Sequence, residues 1–109
     1  MFIAMNRFKI HKGSENAFEE VWRSRDTYLD EVPGFVEFQL LRGPELEDEG
    51  VTLYASHTVW KDRASFEAWT RSDAFRKAHA SAGDNRGLYA GHPQFEGFEA
   101  VIHLAGLAY

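Results

Sequence analysis

The 109-residue chain contains no cysteine, three prolines and two methionines. Without a thiol there can be no disulfide, thiolate metal site, iron–sulfur cluster, cysteine nucleophile or haem–thiolate ligand. Nowhere does an apolar run approach the roughly 20 residues that a membrane-spanning helix requires. The opening run Met1-Phe2-Ile3-Ala4-Met5-Asn6 lacks the charged start, long apolar core and small-residue cleavage site of a secretory signal. A soluble, cytoplasmic protein is therefore expected. Basic residues are not in excess: 12 Lys and Arg stand against 17 Asp and Glu, for a formal charge of -5. The charges are interspersed, so the basic stripe of a nucleic-acid binder is missing. Neither nucleic acid nor membrane is an expected partner. No G-x-G-x-x-G follows a strand, which leaves no nicotinamide or flavin fingerprint. Among the five histidines no pair has the i, i+4 spacing of a two-histidine helical metal site.

What is present is apolar and aromatic material, at 44% and 15% of the residues. That is ample for a core, and the length suits one domain spanning residues 1–109. Residues 2–10 alternate, with Phe2, Ala4, Asn6, Phe8 and Ile10 on one face, the period of a strand. Ser14 can cap a helix running to about residue 31, with Ala17, Phe18, Val21, Trp22, Tyr28 and Leu29 as its apolar stripe. Pro33-Gly34 ends it. Strands are expected over residues 35–42 and 51–60, joined by the acidic loop 43–50. Asp62 can cap a short helix through Trp69, and Ser72 a second through about Ser81. Residues 82–93, rich in Gly, Asn, Asp and Pro, read as a loop before a last strand over residues 95–104.

This order, βαββαβ, predicts an α+β ferredoxin-like domain with helices on one face of an antiparallel sheet. The other face is left bare. Phe38, Leu40, Tyr54, Trp60, Phe98 and Ile102 exceed what a single helix-covered face needs, which predicts a homodimer with its two sheets packed together.

Three residues carry most of the chemistry. Asn6 interrupts an apolar strand face, where a carboxamide without a partner costs about 1 to 3 kcal/mol. Trp69 ends the first short helix and His79 lies on the second. A neutral histidine can ligate a haem iron, an indole can form a rigid apolar wall, and a carboxamide can hydrogen-bond an iron-bound oxygen species. Plainer readings stand beside these. His79 is as readily a surface histidine at a helix end, Trp69 a core residue packed on Phe66 at i, i+3, and Asn6 a partner of a neighbouring strand or buried water.

Asn6-Arg7-Phe8, Pro33-Gly34-Phe35, Phe38-Gln39-Leu40-Leu41-Arg42, Thr58-Val59-Trp60-Lys61 and the block from Phe66 through Trp69 to His79 together resemble IsdG-type haem-degrading monooxygenases. Those enzymes form part of the antibiotic biosynthesis monooxygenase superfamily of dimeric α+β barrels. The resemblance implies a haem b in each subunit, serving as substrate and cofactor, with dioxygen and an external electron donor such as an unidentified reductase. It implies a catalytic set of Asn6, Trp69 and His79: His79 as the proximal iron ligand, Trp69 pressing the porphyrin out of plane, and Asn6 on the distal side beside the oxygen. It also implies haem contacts at Trp22 and Phe66, and at Arg25 toward a propionate, although Arg25 could equally be a solvated helix-surface residue. Arg76, Lys77 and Arg86 are weaker propionate candidates, and Trp60 is expected to be structural. The expected reaction opens the ring to a bilin-like product and releases iron. Two alternatives remain: a cofactor-free monooxygenase of the same superfamily acting on aromatic polyketides or quinols, and a non-catalytic haem-binding protein. Loop 82–93 has no clear counterpart in the family.

Overall fold

A computed structural model describes residues 1–79 and 87–106. Four strands, β1 (Phe2–His11), β2 (Phe35–Leu46), β3 (Val51–Trp60) and β4 (Gln94–Glu99), form one sheet in the order β2-β3-β1-β4. All its pairings are antiparallel. Helix α1 (Glu15–Ser24) and the short helices α2 (Arg63–Thr70) and α3 (Asp73–Ala78) pack on one face. The α+β, ferredoxin-like order read from the sequence is the order observed.

Element boundaries differ from expectation, each for a local reason. α1 ends at Ser24, not near residue 31. Ser24 Oγ donates back to the Glu20 carbonyl at 2.7 Å, and the Asp26 carboxylate accepts from Tyr28 N–H at 3.0 Å. Short polar side chains thus offer the backbone partners that compete with the helix. Tyr28 takes a left-handed conformation, and Leu29–Glu31 resume as a single 3₁₀ turn. Ser14 occupies the position before α1 but makes no capping bond, whereas the expected caps Asp62 and Ser72 accept from Ser65 N–H and Phe75 N–H.

The expected loop 43–50 is mostly strand. β2 runs to Leu46, with a register shift between Arg42 and Glu45, and one 3₁₀ turn over Glu47–Glu49 leads to Gly50 at φ 65°. Pro44 is tolerated because β2 is an edge strand, where a missing N–H leaves no ladder bond unmade. β4 stops at Glu99 instead of continuing to residue 104. Its partner β1 begins at Phe2, and the last bond of the pair runs from Ala100 N–H to the Met1 carbonyl. α3 ends at Ala78, and residues 80 and 81, expected to continue it, lie outside the described residues.

The larger correction concerns the bare face. Tyr54 and Trp60 are fully buried beneath the helices, and Phe38 and Leu40 pack against the same core. In register, Trp60 stands opposite Phe2 and Tyr54 opposite Phe8, both core residues, so these side chains share the inward face. Only Phe98 and Ile102 of the expected set are exposed. The outer face instead carries Ile3 opposite Val59 and Phe98, and Leu41 opposite Ala55.

Beneath the helices the core is divided. Phe2 and Ala4 join Leu29, Trp60 and Trp69 in one cluster, while Phe8 and Ile10 join Phe18 and Tyr54 in another. Asn6 is the inward residue of β1 between them. The second cluster is closed at its rim by the Tyr54 hydroxyl, which donates to the Glu19 carboxylate at 2.5 Å. Burial and that acidic partner push the Tyr54 phenol well above its usual range.

Candidate active site

Between the two clusters lies a cavity of about 460 Å³, within the range of small-molecule and cofactor sites. Its floor is the sheet. Asn6 stands directly opposite Ser56 on β3 and Phe95 on β4, and all three line the cavity. Among the described residues nothing hydrogen-bonds the Asn6 carboxamide, while the nearby Thr58 hydroxyl donates to the Ala4 carbonyl at 3.1 Å. The floor thus presents a free carboxamide in an otherwise apolar chamber.

One wall is α1. Trp22 stacks on Phe38 with centroids 5.4 Å apart. Arg25, the first residue past the helix, turns its guanidinium over the Trp22 ring at 4.4 Å from the centroid. This holds the charge at the cavity without a salt bridge among the described residues.

The opposite wall is α2 and α3. Trp69 is 9% exposed, tilts against Trp60 at 5.4 Å and meets Phe75 edge-on at 4.8 Å. It belongs to the core cluster and also faces the cavity, so the packing role and the wall role coincide. Phe66, one turn before it, stacks flat on Phe95 at 5.6 Å. Trp60 has no exposed surface and is structural as expected.

His79 follows α3 directly as its C-terminal cap, and its ring stacks on Phe75 at 4.1 Å. Its Nδ1 lies 2.8 Å from the Phe75 carbonyl oxygen. A carbonyl can only accept, so Nδ1 carries the hydrogen, and in the neutral ring Nε2 keeps its lone pair. A histidine tied this way is poised as a ligand. The residue is otherwise exposed, at the cavity mouth.

All six residues expected at the site, Asn6, Trp22, Arg25, Phe66, Trp69 and His79, line this one cavity. Among the described residues that line it there is no Asp or Glu. Aromatic walls, one cation and a ring nitrogen with a free lone pair fit a flat apolar macrocycle with acidic substituents. Two of the weaker propionate candidates, Arg76 and Lys77, are not among its lining residues. Arg76 pairs with Asp73, and Lys77 lines a separate groove with Glu31 and Asp62; Arg86 lies outside the described residues. Of loop 82–93, residues 82–86 are likewise outside, while Tyr89 and Pro93 line the cavity.

Sequence reasoning overlooked Ser56, Thr58, Phe95 and Tyr89. A signal existed for the first two: they interrupt the inward face of β3 as Asn6 interrupts that of β1, with Ser56 directly opposite Asn6.

Residues 1–81 match the antibiotic biosynthesis monooxygenase family. A curated relative, a haem oxygenase (staphylobilin-producing) from Staphylococcus haemolyticus, is 33% identical over 72% of this chain and 73% of its own length. Among solved structures, the haem degrader MhuD from Mycobacterium tuberculosis, with two haems bound in its active site, superposes with a TM-score of 0.73. It is 26% identical, over 96% of this chain and all of that one. SnoaB, a cofactor-independent oxygenase from Streptomyces nogalater, superposes with a TM-score of 0.69 at 26% identity, over 96% of this chain and 97% of that one.

Proposed function

The chain belongs to the antibiotic biosynthesis monooxygenase family, and from that membership we propose that it is a haem-degrading monooxygenase. It binds haem and opens the porphyrin with dioxygen and electrons from an external donor, yielding a bilin-like tetrapyrrole and free iron. The observation that carries this reading is the His79 imidazole, held by the Phe75 carbonyl with Nε2 free, on the wall of the cavity that Asn6 and Trp69 also line. The haem-degrading relatives, 33% and 32% identical, point the same way.

Haem supplies the redox-active iron and is itself consumed. The chain supplies position and polarity. His79 would hold the iron through Nε2, and the Phe75 carbonyl fixes the ring's tautomer and orientation. Trp69, backed by Trp60 and Phe75, is a wall that yields little and imposes shape on whatever lies against it. The Asn6 amide N–H would be available to donate toward oxygen brought to the haem, in a chamber whose apolar lining would strengthen such a bond. Arg25 neutralises an acidic substituent at the α1 side.

The working unit in this reading is a homodimer formed through the outer sheet face, where Ile3, Leu41 and Phe98 stand. Phe98 is 49% exposed there, and Val101, Ile102 and Leu104 extend beyond β4 with 91%, 81% and 90% of their surfaces free.

Adding hemin to the purified protein and then ascorbate or a reductase tests the function. A Soret band followed by ring-opened tetrapyrrole in the mass spectrum is the expected result. The likeness to SnoaB favours one other reading, a cofactor-free oxygenase of an aromatic polyketide or quinol. Failure to bind hemin together with oxidation of such a compound would establish it instead.

A further inference from the structure

β4 pairs with β1 only from Phe2 to Arg7, and beyond it the segment holding Tyr89 and Ala90 covers the same edge. Tyr89 forms an isolated bridge with Ile10, and Ala90 N–H donates to the Lys9 carbonyl at 2.8 Å. These contacts plant the Tyr89 ring 5.8 Å from Phe8 and 5.7 Å, edge-on, from Phe18. Trp22 flanks the same two rings, at 6.1 and 6.4 Å. The Tyr89 phenol and the Arg25 guanidinium stacked on Trp22 therefore belong to one side of the cavity, and both line it.

Among the described residues neither group has a hydrogen-bonding or salt-bridge partner, and none of the described residues lining the cavity is an acid. Burial raises the Tyr89 phenol above its usual range, with the Arg25 charge pulling the other way. Around neutral pH Tyr89 is thus a proton donor, beside a fixed cation, in an apolar chamber. A neutral O–H and a guanidinium on one side of a cavity suit a carboxylate, which can accept from both.

We propose that Tyr89 and Arg25 form the carboxylate-recognition corner of the cavity, Tyr89 acting as a binding residue that holds a propionate of the tetrapyrrole and fixes how the ring is turned in the site. This rests on the haem-degrading reading and adds to it a donor from residues 87–93. A flat ring among aromatic walls has little else to resist in-plane rotation, so an anchored acidic substituent decides which edge faces Asn6.

The test uses metal-free protoporphyrin IX and its dimethyl ester, which remove iron ligation from the measurement. Each is titrated into the full chain by tryptophan fluorescence quenching. Tyr89→Phe keeps the ring and its packing; it should bind the diacid about tenfold more weakly, the effect of losing about 1.4 kcal/mol, and bind the ester as wild type does. Arg25→Gln should reduce the same diacid-to-ester ratio, and the double variant should lose less than the two single losses combined. An unchanged ratio in Tyr89→Phe, or equal weakening toward both porphyrins, overturns the corner while leaving the haem reading intact. A wild-type chain that binds neither porphyrin nor hemin overturns both.

Discussion

His79 Nδ1 and the Phe75 carbonyl oxygen lie 2.8 Å apart, one helical turn from each other. The backbone N–H of His79 donates to that same oxygen at 3.1 Å, so a single acceptor terminates α3 and orients the imidazole. The helix end and the candidate ligand are therefore one structural device. Moving the cap moves the ring.

Replacing His79→Ala should leave the fold intact, because the side chain is exposed, and should remove the ferric haem spectrum of an imidazole-ligated iron along with turnover. Phe75→Ala, which takes away the stacked ring beneath the imidazole, should weaken hemin binding about tenfold, the usual scale for a group that orients a ligand. Optical titration with hemin measures both. A wild-type spectrum and rate in His79→Ala would end the ligand assignment.

The fold was legible because its periodicities are simple. β1 alternates cleanly, Asp62 and Ser72 announce α2 and α3, and the element order leaves few topologies. Asn6 stood out because a carboxamide interrupts an apolar strand face, whereas Trp69 and His79 were set apart by the resemblance of their block to the haem-degrading enzymes. The inward phase of β3 was obscured for a physical reason: its inward residues Thr52, Ser56 and Thr58 are polar, and Ser56 and Thr58 face the cavity. A strand whose buried side is half polar does not declare which face is buried, so Tyr54 and Trp60 were counted in an apolar surplus when the helix-covered face takes them both. Tyr89 was hidden because only a tertiary contact, its bridge to Ile10, brings a loop tyrosine to the site.

Asp62 links stability to pH. Hydrogen bonds from the Ser65 hydroxyl at 2.7 Å and the Ser65 N–H at 2.8 Å hold its carboxyl below the ordinary value of 3.8. A group with a depressed folded pKa contributes stability above its unfolded pKa and loses it as pH falls through the folded one. Asp62→Ala should therefore lower the melting temperature at pH 7, and the gap from wild type should close as the pH drops well below 3.8. Thermal melts across that range check the sign; a gap that widens in acid would refute it.

Association through the outer sheet face should be sensitive to charge. Phe98→Asp places a carboxylate opposite Ile3 without touching the cavity, whose lining does not include it. Light scattering should find a dimer for the wild type at micromolar concentration and a monomer for the variant. A wild-type chain that stays monomeric on concentration would remove the outer face as a subunit contact.

Asn6 and Trp69 approach the cavity from different elements and should fail differently. Asn6 contributes a polar group to the floor and belongs to neither core cluster, so Asn6→Ala should keep the melting temperature and hemin affinity near wild type while ring opening stops. Trp69 is part of the core, and truncating a buried aromatic to alanine costs about 3 to 5 kcal/mol. Trp69→Ala should therefore melt earlier, bind hemin more weakly and degrade it slowly, with a flatter porphyrin by resonance Raman. Trp69→Phe keeps an aromatic surface against Trp60 and Phe75 but less bulk, and should fall between wild type and alanine in stability, distortion and rate together. If Asn6→Ala and Trp69→Ala both opened the ring at the wild-type rate, neither the amide donor nor the indole wall would be part of the chemistry. The cavity would then be a haem-binding site whose reactivity belonged to the haem alone.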